Sequence, residues 1–268
     1  MNMKTIQSRR NQKISKIDST IELNINYEEV DSKDIYGYYI LNRMEESRYY
    51  GLAMVGDFHN VYPDYIALFN QKCYFNKTSN TCVAFYINDL IFDDLDGLYL
   101  AIIYKDAELL KYYKWYLQGV KYLIGPDYSV YGNFKKSTII HQIEKETIVI
   151  GWLVLELNVI VYPNITFGFQ ETFDFCLGNI YYGSNVALSL KGSCESTINK
   201  DILKAAIKEL VDKIKPKAII IYAVCSNNTV SNLLEYAINN KIKLVIPNNS
   251  LRSSNLKRLK SYGEESLF

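Results

Sequence analysis

The sequence predicts an α/β protein whose mainly parallel sheet has about six or seven strands with flanking helices. Segments with strand and helix patterns alternate at least five times, and the connections between them are short. The strand segments are rich in isoleucine and valine, which is typical of parallel strands that are buried on both faces. A partial or distorted TIM-like barrel and an open sheet both fit this pattern.

Three of the apolar segments end in the same way. Residues 119–129, 157–166 and 240–250 each hold a short apolar run, a proline, an aspartate or asparagine, and then a hydroxyl or amide. Proline cannot donate the next ladder hydrogen bond, so it marks the end of a strand. Because ligands bind at the carboxyl edge of parallel sheets, we expect the polar side chains after these prolines to share one pocket.

The remaining elements follow from the spacing of apolar residues. Residues 35–62 are ambiguous between strand and helix, and strands are predicted at 65–69 and 82–87. A helix is predicted at 107–117, with Asp106 as its cap and Gly119 beyond its end. Residues 136–150 predict a helix, although 148–155 also fits a strand. Further elements are a short helix at 170–177, strands at 185–189 and 217–222, and helices at 199–214 and 229–239.

The predicted organisation has three parts: a flexible basic leader over residues 1–34, a single α/β domain over 35–250 and a basic C-terminal tail over 251–268. The amino terminus lacks the apolar core of a signal peptide, and no apolar run approaches the ~20 residues that cross a bilayer. The five cysteines include no Cys-x-x-Cys pair, which indicates reduced thiols rather than a zinc site or a disulfide framework. We therefore expect a cytoplasmic protein without a membrane partner.

Charge and composition exclude few functions. The formal net charge of +1 creates no global field toward nucleic acid or membrane, so such binding would need a local patch. The 24 tyrosines suit stacking and protein interfaces, although abundant Tyr, Ile, Asn and Lys is also what an A+T-rich genome produces.

Polar residues at the predicted strand ends form the candidate site. Asp89 and Asp127 are the candidate catalytic residues, since two carboxyl groups can act as general acid and base or hold a divalent cation. The simpler interpretation is that each caps the turn or helix that follows it. Lys191 lies in a glycine turn whose backbone N–H groups could meet an anion. The candidate ligand-binding residues are Asn88, Ser129, Tyr131, Asn164, Thr166, Ser189, Lys191, Tyr222 and Asn248.

Familiar catalytic motifs do not occur in the sequence. It contains no dinucleotide-binding glycine motif, no Walker lysine and no nucleophile elbow. The two histidines, His59 and His141, are interpreted as structural, and Cys176 as a core residue. No metal ligands are assigned, and the cofactor is unknown, with a divalent metal as one option.

Several short motifs of the chain, in their order and spacing, resemble the domain of unknown function 4417 family. They lie at residues 125–131, 161–164, 171–176, 183–189 and 215–222, and residues 63–70 and 85–92 resemble the amino-terminal part of the family. The resemblance covers roughly residues 60–225 and implies a protein of bacteriophages, plasmids or other mobile elements, without an established activity. The family usually has Trp at the position of Phe167 and often Gly at that of Ala223, and both positions lie on the presumed ligand face.

The leading functional hypothesis is a mobile-element protein that binds or acts on nucleic acid or nucleotide at the strand ends, in replication or maintenance of the element. Basic residues near the termini would contact phosphates, namely Arg9, Arg10, Arg252, Lys257 and Arg258. Bases would stack on Tyr128, Tyr131, Tyr162 and Tyr222.

Two other hypotheses remain beside it. One is a non-catalytic interaction protein that sequesters or inhibits a host defence component. The other is a metal-dependent hydrolase that uses Asp89, Asp127 and Asp174. The sequence leaves open whether the protein is an enzyme.

Overall fold

The computed structural model describes residues 3–17, 20–47, 52–93, 97–130, 134–192 and 196–261. Within these ranges short strands alternate with helices. The strands are β1 (Tyr65–Leu68), β2 (Thr81–Ala84), β3 (Tyr122–Ile124), β4 (Ile160–Tyr162), β5 (Val186–Ser189), β6 (Ala218–Tyr222) and β7 (Lys243–Val245). The helices are α1 (Met3–Ile14), α2 (Tyr38–Leu41), α3 (Asp89–Phe92), α4 (Leu98–Ile103), α5 (Ala107–Tyr116), α6 (Lys136–Leu157), α7 (Phe173–Cys176), α8 (Thr197–Ile214), α9 (Asn227–Leu233), α10 (Glu235–Asn239) and α11 (Ser250–Ser261).

The seven strands form two parallel sheets. The first has the order β1-β2-β3-β4 and the second the order β5-β6-β7. Every paired strand runs parallel to its neighbour, and within each sheet strands that are consecutive in sequence lie side by side. The predicted α/β class with parallel strands is confirmed. The strands are divided between two sheets, however, and the described residues do not form a closed barrel.

Single parallel bridges lie at the edges of the two sheets. Asn164, just beyond β4, pairs with Ala187 of β5, and Asn248, beyond β7, pairs with Tyr65 of β1. At the first bridge the Ala187 N–H donates to the Pro163 carbonyl at 2.8 Å. The bridges bring the carboxyl end of β4 beside β5, which positions part of the candidate site.

Side chains that alternate along the strands divide the core into two sets. One set packs with the helices in the main hydrophobic cluster. The other forms a separate inner cluster, against which the partly buried Val245 of β7 also packs. The buried members of the inner cluster are Ile66, Cys82, Ala84, Tyr86, Ile124, Tyr162, Ala187, Ile220 and Tyr222. Each of the seven strands therefore contributes to it.

The helices begin close to their predicted positions. The Asp106 carboxylate caps α5 by accepting the Leu109 N–H at 3.2 Å, as expected. Helix α6 extends to residue 157, so residues 148–155 are helical rather than a strand. None of the helices in the described part of the chain is both long and apolar enough to cross a bilayer.

The basic leader and the basic tail both contain helices. Residues 3–14 form α1, which packs against α5 through an ion pair of 2.8 Å between Arg10 and Asp106. Most of the tail forms α11. Long-range contacts of this kind are not visible in a local charge pattern. The division into leader, domain and tail stays a prediction.

Candidate functional site

A cavity of about 500 Å³ lies at the carboxyl ends of β2, β3 and β5. A neighbouring cavity of about 190 Å³ shares part of its lining and adds Thr166 and Phe167. The structure thus brings together polar residues that follow four strands. The predicted residues that line the larger cavity are Asn88, Asp89, Asp127, Ser129, Ser189 and Lys191.

Asp127 is positioned by side chains that follow β4. Asn164 Nδ2 and Thr166 Oγ1 donate to Asp127 Oδ1 at 2.9 and 3.2 Å. Asn164 Oδ1 in turn accepts from the Tyr86 hydroxyl at 2.8 Å. Tyr86 is absent from the predicted site, although it lies two residues beyond β2 and its even spacing from Cys82 predicts the same inner face. Both hydrogen bonds described for the Asp127 carboxyl reach Oδ1, which leaves Oδ2 for a ligand in the cavity.

Asp89 and Asp127 both have a raised pKa. Removal from water is the main cause of the raised Asp127 pKa, and the negative charge of Asp89 raises it further. The hydrogen bonds from Asn164 and Thr166 and the positive charge of Lys191 act in the opposite direction. Desolvation also raises the pKa of Asp89, while the Ser129 N–H, 3.5 Å from Oδ2, and Lys145 act to lower it. A carboxyl group with a raised pKa exchanges its proton closer to neutral pH, as general acid–base chemistry requires.

Lys191 places a positive charge at the cavity. Its ammonium group lies 3.4 Å from the Tyr86 carbonyl oxygen, and its N–H donates to Ser189 Oγ at 3.2 Å. The turn continues through Gly192 at φ +82°, a conformation that glycine adopts without strain. Two carboxyl groups and an ammonium group therefore face one cavity, a set suited to a polar ligand with an anionic group.

Glu146 of α6 is buried beneath the site and is absent from the sequence prediction. The residue is 8% exposed, and its Oε1 has no hydrogen-bond partner among the described residues. Burial raises the pKa of Glu146 well above its ordinary value, and Asp127 adds to this effect. The available signal is an acidic residue in the apolar stripe of a helix, between Ile143 and Ile150.

Three of the predicted ligand-binding residues do not line either cavity. Tyr222 is fully buried in the inner cluster, with its ring centre 5.2 Å from that of Tyr86. Asn248 lies at the bridge to β1, where its Oδ1 accepts from the Ser253 hydroxyl at 2.9 Å. Asn164 is buried beneath the cavities and acts through Asp127. A fourth, Tyr131, lies outside the described residues.

Two of the five residues predicted to contact phosphates lie on α1. Arg9 is exposed, whereas the Arg10 guanidinium is engaged by both carboxylate oxygens of Asp106. A contact between either residue and nucleic acid stays a prediction.

The other three lie on α11. Arg252 donates to the Cys225 carbonyl at 3.1 Å and to the Asn227 side chain, which holds α11 against the carboxyl end of β6. Lys257 and Arg258 are exposed. Their role in phosphate binding likewise stays a prediction.

The third carboxylate of the hydrolase hypothesis lies elsewhere. Asp174 forms an ion pair with Lys213 and lines a different cavity, so it does not form one site with Asp89 and Asp127. Across the described ranges, no group of three or more His, Cys, Asp and Glu side chains could hold a metal ion.

Residues 44–238 match the family described as "Domain of unknown function (DUF4417)". The chain belongs to this family. Beyond it, the DUF4417 chain is similar to the Gene 1 protein of Mycobacterium phage L5, with 25% identity over 114 residues, and to the Gene 1 protein of Mycobacterium phage D29, with 24% identity over 123 residues. The alignments cover 41% and 45% of this chain and 49% and 45% of the relatives, so the chain spans about half the length of the curated relatives it matches. No solved structure matches it.

The family resemblance seen in the sequence is thereby confirmed, and its two departures can be located in this DUF4417 protein. Phe167 lines the smaller cavity, so it lies on the candidate ligand face. Ala223 is fully buried, and its carbonyl accepts from Asn249 Nδ2 at 2.9 Å. Of the two positions, Phe167 is the one placed to alter contacts with a ligand.

Proposed function

We propose that this phage-associated protein binds or acts on a nucleotide or nucleic-acid strand in the strand-end cavity, in replication or maintenance of its element. The observation that carries the proposal is that Asp89 and Asp127, both with a raised pKa, share a cavity of about 500 Å³ with Lys191. Pockets for small ligands usually measure about 300–1,000 Å³, so this volume suits one nucleotide unit.

Each polar group has a counterpart in a nucleotide. The ammonium group of Lys191 would pair with a phosphate, and Asp127 Oδ2 would bond to an N–H group of the base. Gln142, which also lines the cavity, offers an amide that can both donate and accept. If Asp89 and Asp127 share one proton, one of them can donate while the other accepts, which suits proton transfer to or from the bound ligand.

The proposal includes a finer description of the fold as a partial barrel of the TIM-like type. Support comes from the two bridges between the sheets and from the inner cluster that receives side chains from every strand. In such a barrel the carboxyl ends of all strands open onto one face, which is where the cavity lies.

Ligand binding measured by calorimetry tests the proposed site. The ligands are nucleoside mono- and triphosphates and short oligonucleotides, each offered with and without Mg²⁺. A bound nucleotide at 100 times its Kd should raise the free energy of unfolding by about 2.7 kcal/mol. Asp127→Asn should weaken binding by about tenfold or more, since it removes a charge-assisted hydrogen bond.

The matched control is Asp174→Asn, which removes the same formal charge at the other cavity. Nucleotide binding that is lost in Asp127→Asn and retained in Asp174→Asn supports the proposal. Failure of every nucleotide to bind, or equal affinity in the two variants, contradicts it.

A cluster of exposed apolar side chains favours a second function, that of an interaction protein that sequesters or inhibits a host defence component. Its members are each at least 52% exposed. The segment that carries three of them docks on α4, where the Tyr39 hydroxyl donates to the Ile102 carbonyl at 2.9 Å. Exposed apolar patches mark protein interaction sites. The cluster consists of Ile35, Tyr36, Tyr38 and Tyr104.

Affinity capture from a nuclease-treated bacterial host lysate tests this second function. The double variant Tyr36→Ser/Tyr38→Ser should lose a stoichiometric partner that the wild type retains. Ile198→Ser is the control, since Ile198 is 69% exposed and lies on α8. Capture that is equal for the wild type and the double variant contradicts the hypothesis.

A further inference from the structure

The amino ends of the second sheet carry a basic surface on the side opposite the strand-end cavity. Lys217 directly precedes β6 and Lys243 begins β7, and the two are joined where the Lys243 N–H donates to the Lys217 carbonyl at 3.4 Å. Lys215 lies two residues earlier, at the end of α8. We define the basic face as these three lysines together with the aromatic residues Phe58, Tyr62 and Tyr182.

The ammonium groups of the basic face contact neutral groups and aromatic rings. Lys217 Nζ lies 3.3 Å from Asn60 Oδ1 and 3.5 Å from the Phe58 carbonyl oxygen. Lys243 Nζ lies 3.8 Å from the centre of the Tyr62 ring. In the part of the chain that the structure describes, neither lysine forms a salt bridge, so both charges are available to an anion.

Two carboxylates near the basic face accept hydrogen bonds from other side chains. Glu45 accepts from the Tyr181 hydroxyl at 2.6 Å. Asp212, whose charge also acts on Lys215, accepts from the Lys208 ammonium and from the Tyr236 hydroxyl at 2.8 and 2.7 Å. Within the described residues, none of the three lysines of the basic face forms a direct ion pair with a carboxylate.

Two aromatic rings of the basic face are open to solvent. Phe58 is 50% exposed and Tyr182 is 66% exposed. The Phe58 ring packs edge-on against Tyr181 with 6.0 Å between the ring centres, and Lys215 Nζ lies 5.9 Å from the Tyr182 ring centre. Rings held in this way beside ammonium groups can stack on a flat ligand that also carries negative charge.

Hydrogen bonds to the buried Asp57 fix the loop that carries Phe58. Asp57 is 4% exposed, and its Oδ2 accepts from Asn185 Nδ2 at 2.7 Å. Asp57 Oδ1 lies 2.5 Å from His59 Nδ1, and the Asp57 N–H donates to Ser184 Oγ at 2.9 Å. These bonds tie the loop to the residues that precede β5, so the face is organised before any ligand binds.

We propose that the basic face binds single-stranded nucleic acid, with Lys215, Lys217 and Lys243 on phosphates and with the exposed rings stacked on bases. Unpaired bases present flat surfaces to aromatic side chains, whereas the bases of a duplex are covered by their neighbours. The basic face lies at the opposite strand ends from the proposed nucleotide site, so either assignment can fail while the other holds.

Fluorescence anisotropy with a labelled oligothymidylate about 12 nucleotides long measures this binding. Between about 50 and 200 mM salt, three phosphate contacts predict that log K falls against log [salt] with a slope of about −2. In Lys215→Gln/Lys217→Gln/Lys243→Gln the slope should approach zero and the affinity should fall about tenfold or more. In Phe58→Ala/Tyr182→Ala the affinity should fall about 30-fold or more, with the slope unchanged.

The matched control is Lys33→Gln/Lys121→Gln/Lys204→Gln, which removes the same formal charge at three exposed lysines outside the basic face. Thermal unfolding verifies that each variant is folded. Loss of binding in the two basic-face variants, with binding retained in the control variant, supports the proposal. Full binding by the lysine variant, an equal loss in the control variant, or tighter binding to a duplex of equal length overturns it.

Discussion

Replacing Glu146 by glutamine should make the stability of the protein less dependent on pH. In the folded state, burial and the neighbouring Asp127 hold the pKa of Glu146 well above 4.5, its ordinary value. Between pH 4.5 and that raised pKa, the folded protein keeps a proton that the unfolded chain releases. The free energy of unfolding therefore falls as pH rises through this window, by up to about 1.4 kcal/mol per pH unit.

Glutamine has the shape of a protonated carboxyl group and does not titrate, so the variant lacks this pH dependence. We expect the stability of Glu146→Gln, relative to the wild type, to rise by up to about 1.4 kcal/mol for each pH unit above the ordinary pKa. For a chain of this size, that corresponds to a gain in Tm of roughly 3–6 °C per pH unit.

Urea unfolding at about pH 5, 6 and 7 measures the difference between the variant and the wild type. Glu144→Gln is the control, because Glu144 is an exposed position on the same helix. A difference between Glu146→Gln and the wild type that stays constant over this range would refute the assignment of a proton to Glu146 in the folded protein.

Three further substitutions test hydrogen bonds in the core and at the start of α5. Tyr222→Phe removes a buried hydroxyl without a hydrogen-bond partner among the described residues, so urea unfolding should show stability unchanged or higher by about 1 kcal/mol. Tyr162→Phe should instead lose about 1 kcal/mol, since its hydroxyl donates to the Val61 carbonyl at 2.7 Å, and equal losses in both variants would contradict this reasoning. Asp106→Ala removes both the cap of α5 and the partner of Arg10, and should cost about 1–2 kcal/mol and speed proteolysis within α1. An unchanged proteolysis rate would show that the ion pair does not hold α1.

The local sequence pattern predicted where the strands end, but it did not predict which strands lie side by side. The proline-terminated segments became β3, β4 and β7, as the loss of a ladder donor predicts. Since β3 and β4 are adjacent, Asp127 and Asn164 meet at 2.9 Å. The end of β7 pairs with β1 instead, which takes Asn248 away from the cavity. Strand order depends on contacts between distant segments, and no residue near the prolines encodes it.

Helix α6 shows why a correct periodicity can still leave a boundary open. Its first half has one buried stripe, which predicts a helix from the spacing of Ile139 and Ile143. Every residue from Thr147 to Leu153 is buried, so apolar residues occupy all sides of the helix. A continuous apolar run fits a buried strand and a buried helix equally well. The same all-round burial explains why Glu146 was not predicted as a site residue. A single acidic residue in an apolar helix does not show that a polar site lies next to it.

The net charge of +1 does not show that acidic and basic side chains are separated between the two ends of the strands. Asp89, Asp127 and Glu146 lie at or beneath the carboxyl ends, and the lysines of the basic face lie at the amino ends. In the two proposals, a nucleic-acid strand would be attracted to the basic face by lysines that form no direct ion pair among the described residues. A phosphate in the cavity would instead be compensated by Lys191 and by protons on the carboxyl groups. This separation predicts that a mononucleotide and an oligonucleotide occupy different places and do not compete. Displacement of the labelled oligonucleotide by a stoichiometric amount of nucleotide would instead require one shared site, and the two ends of the strands could not then have separate roles.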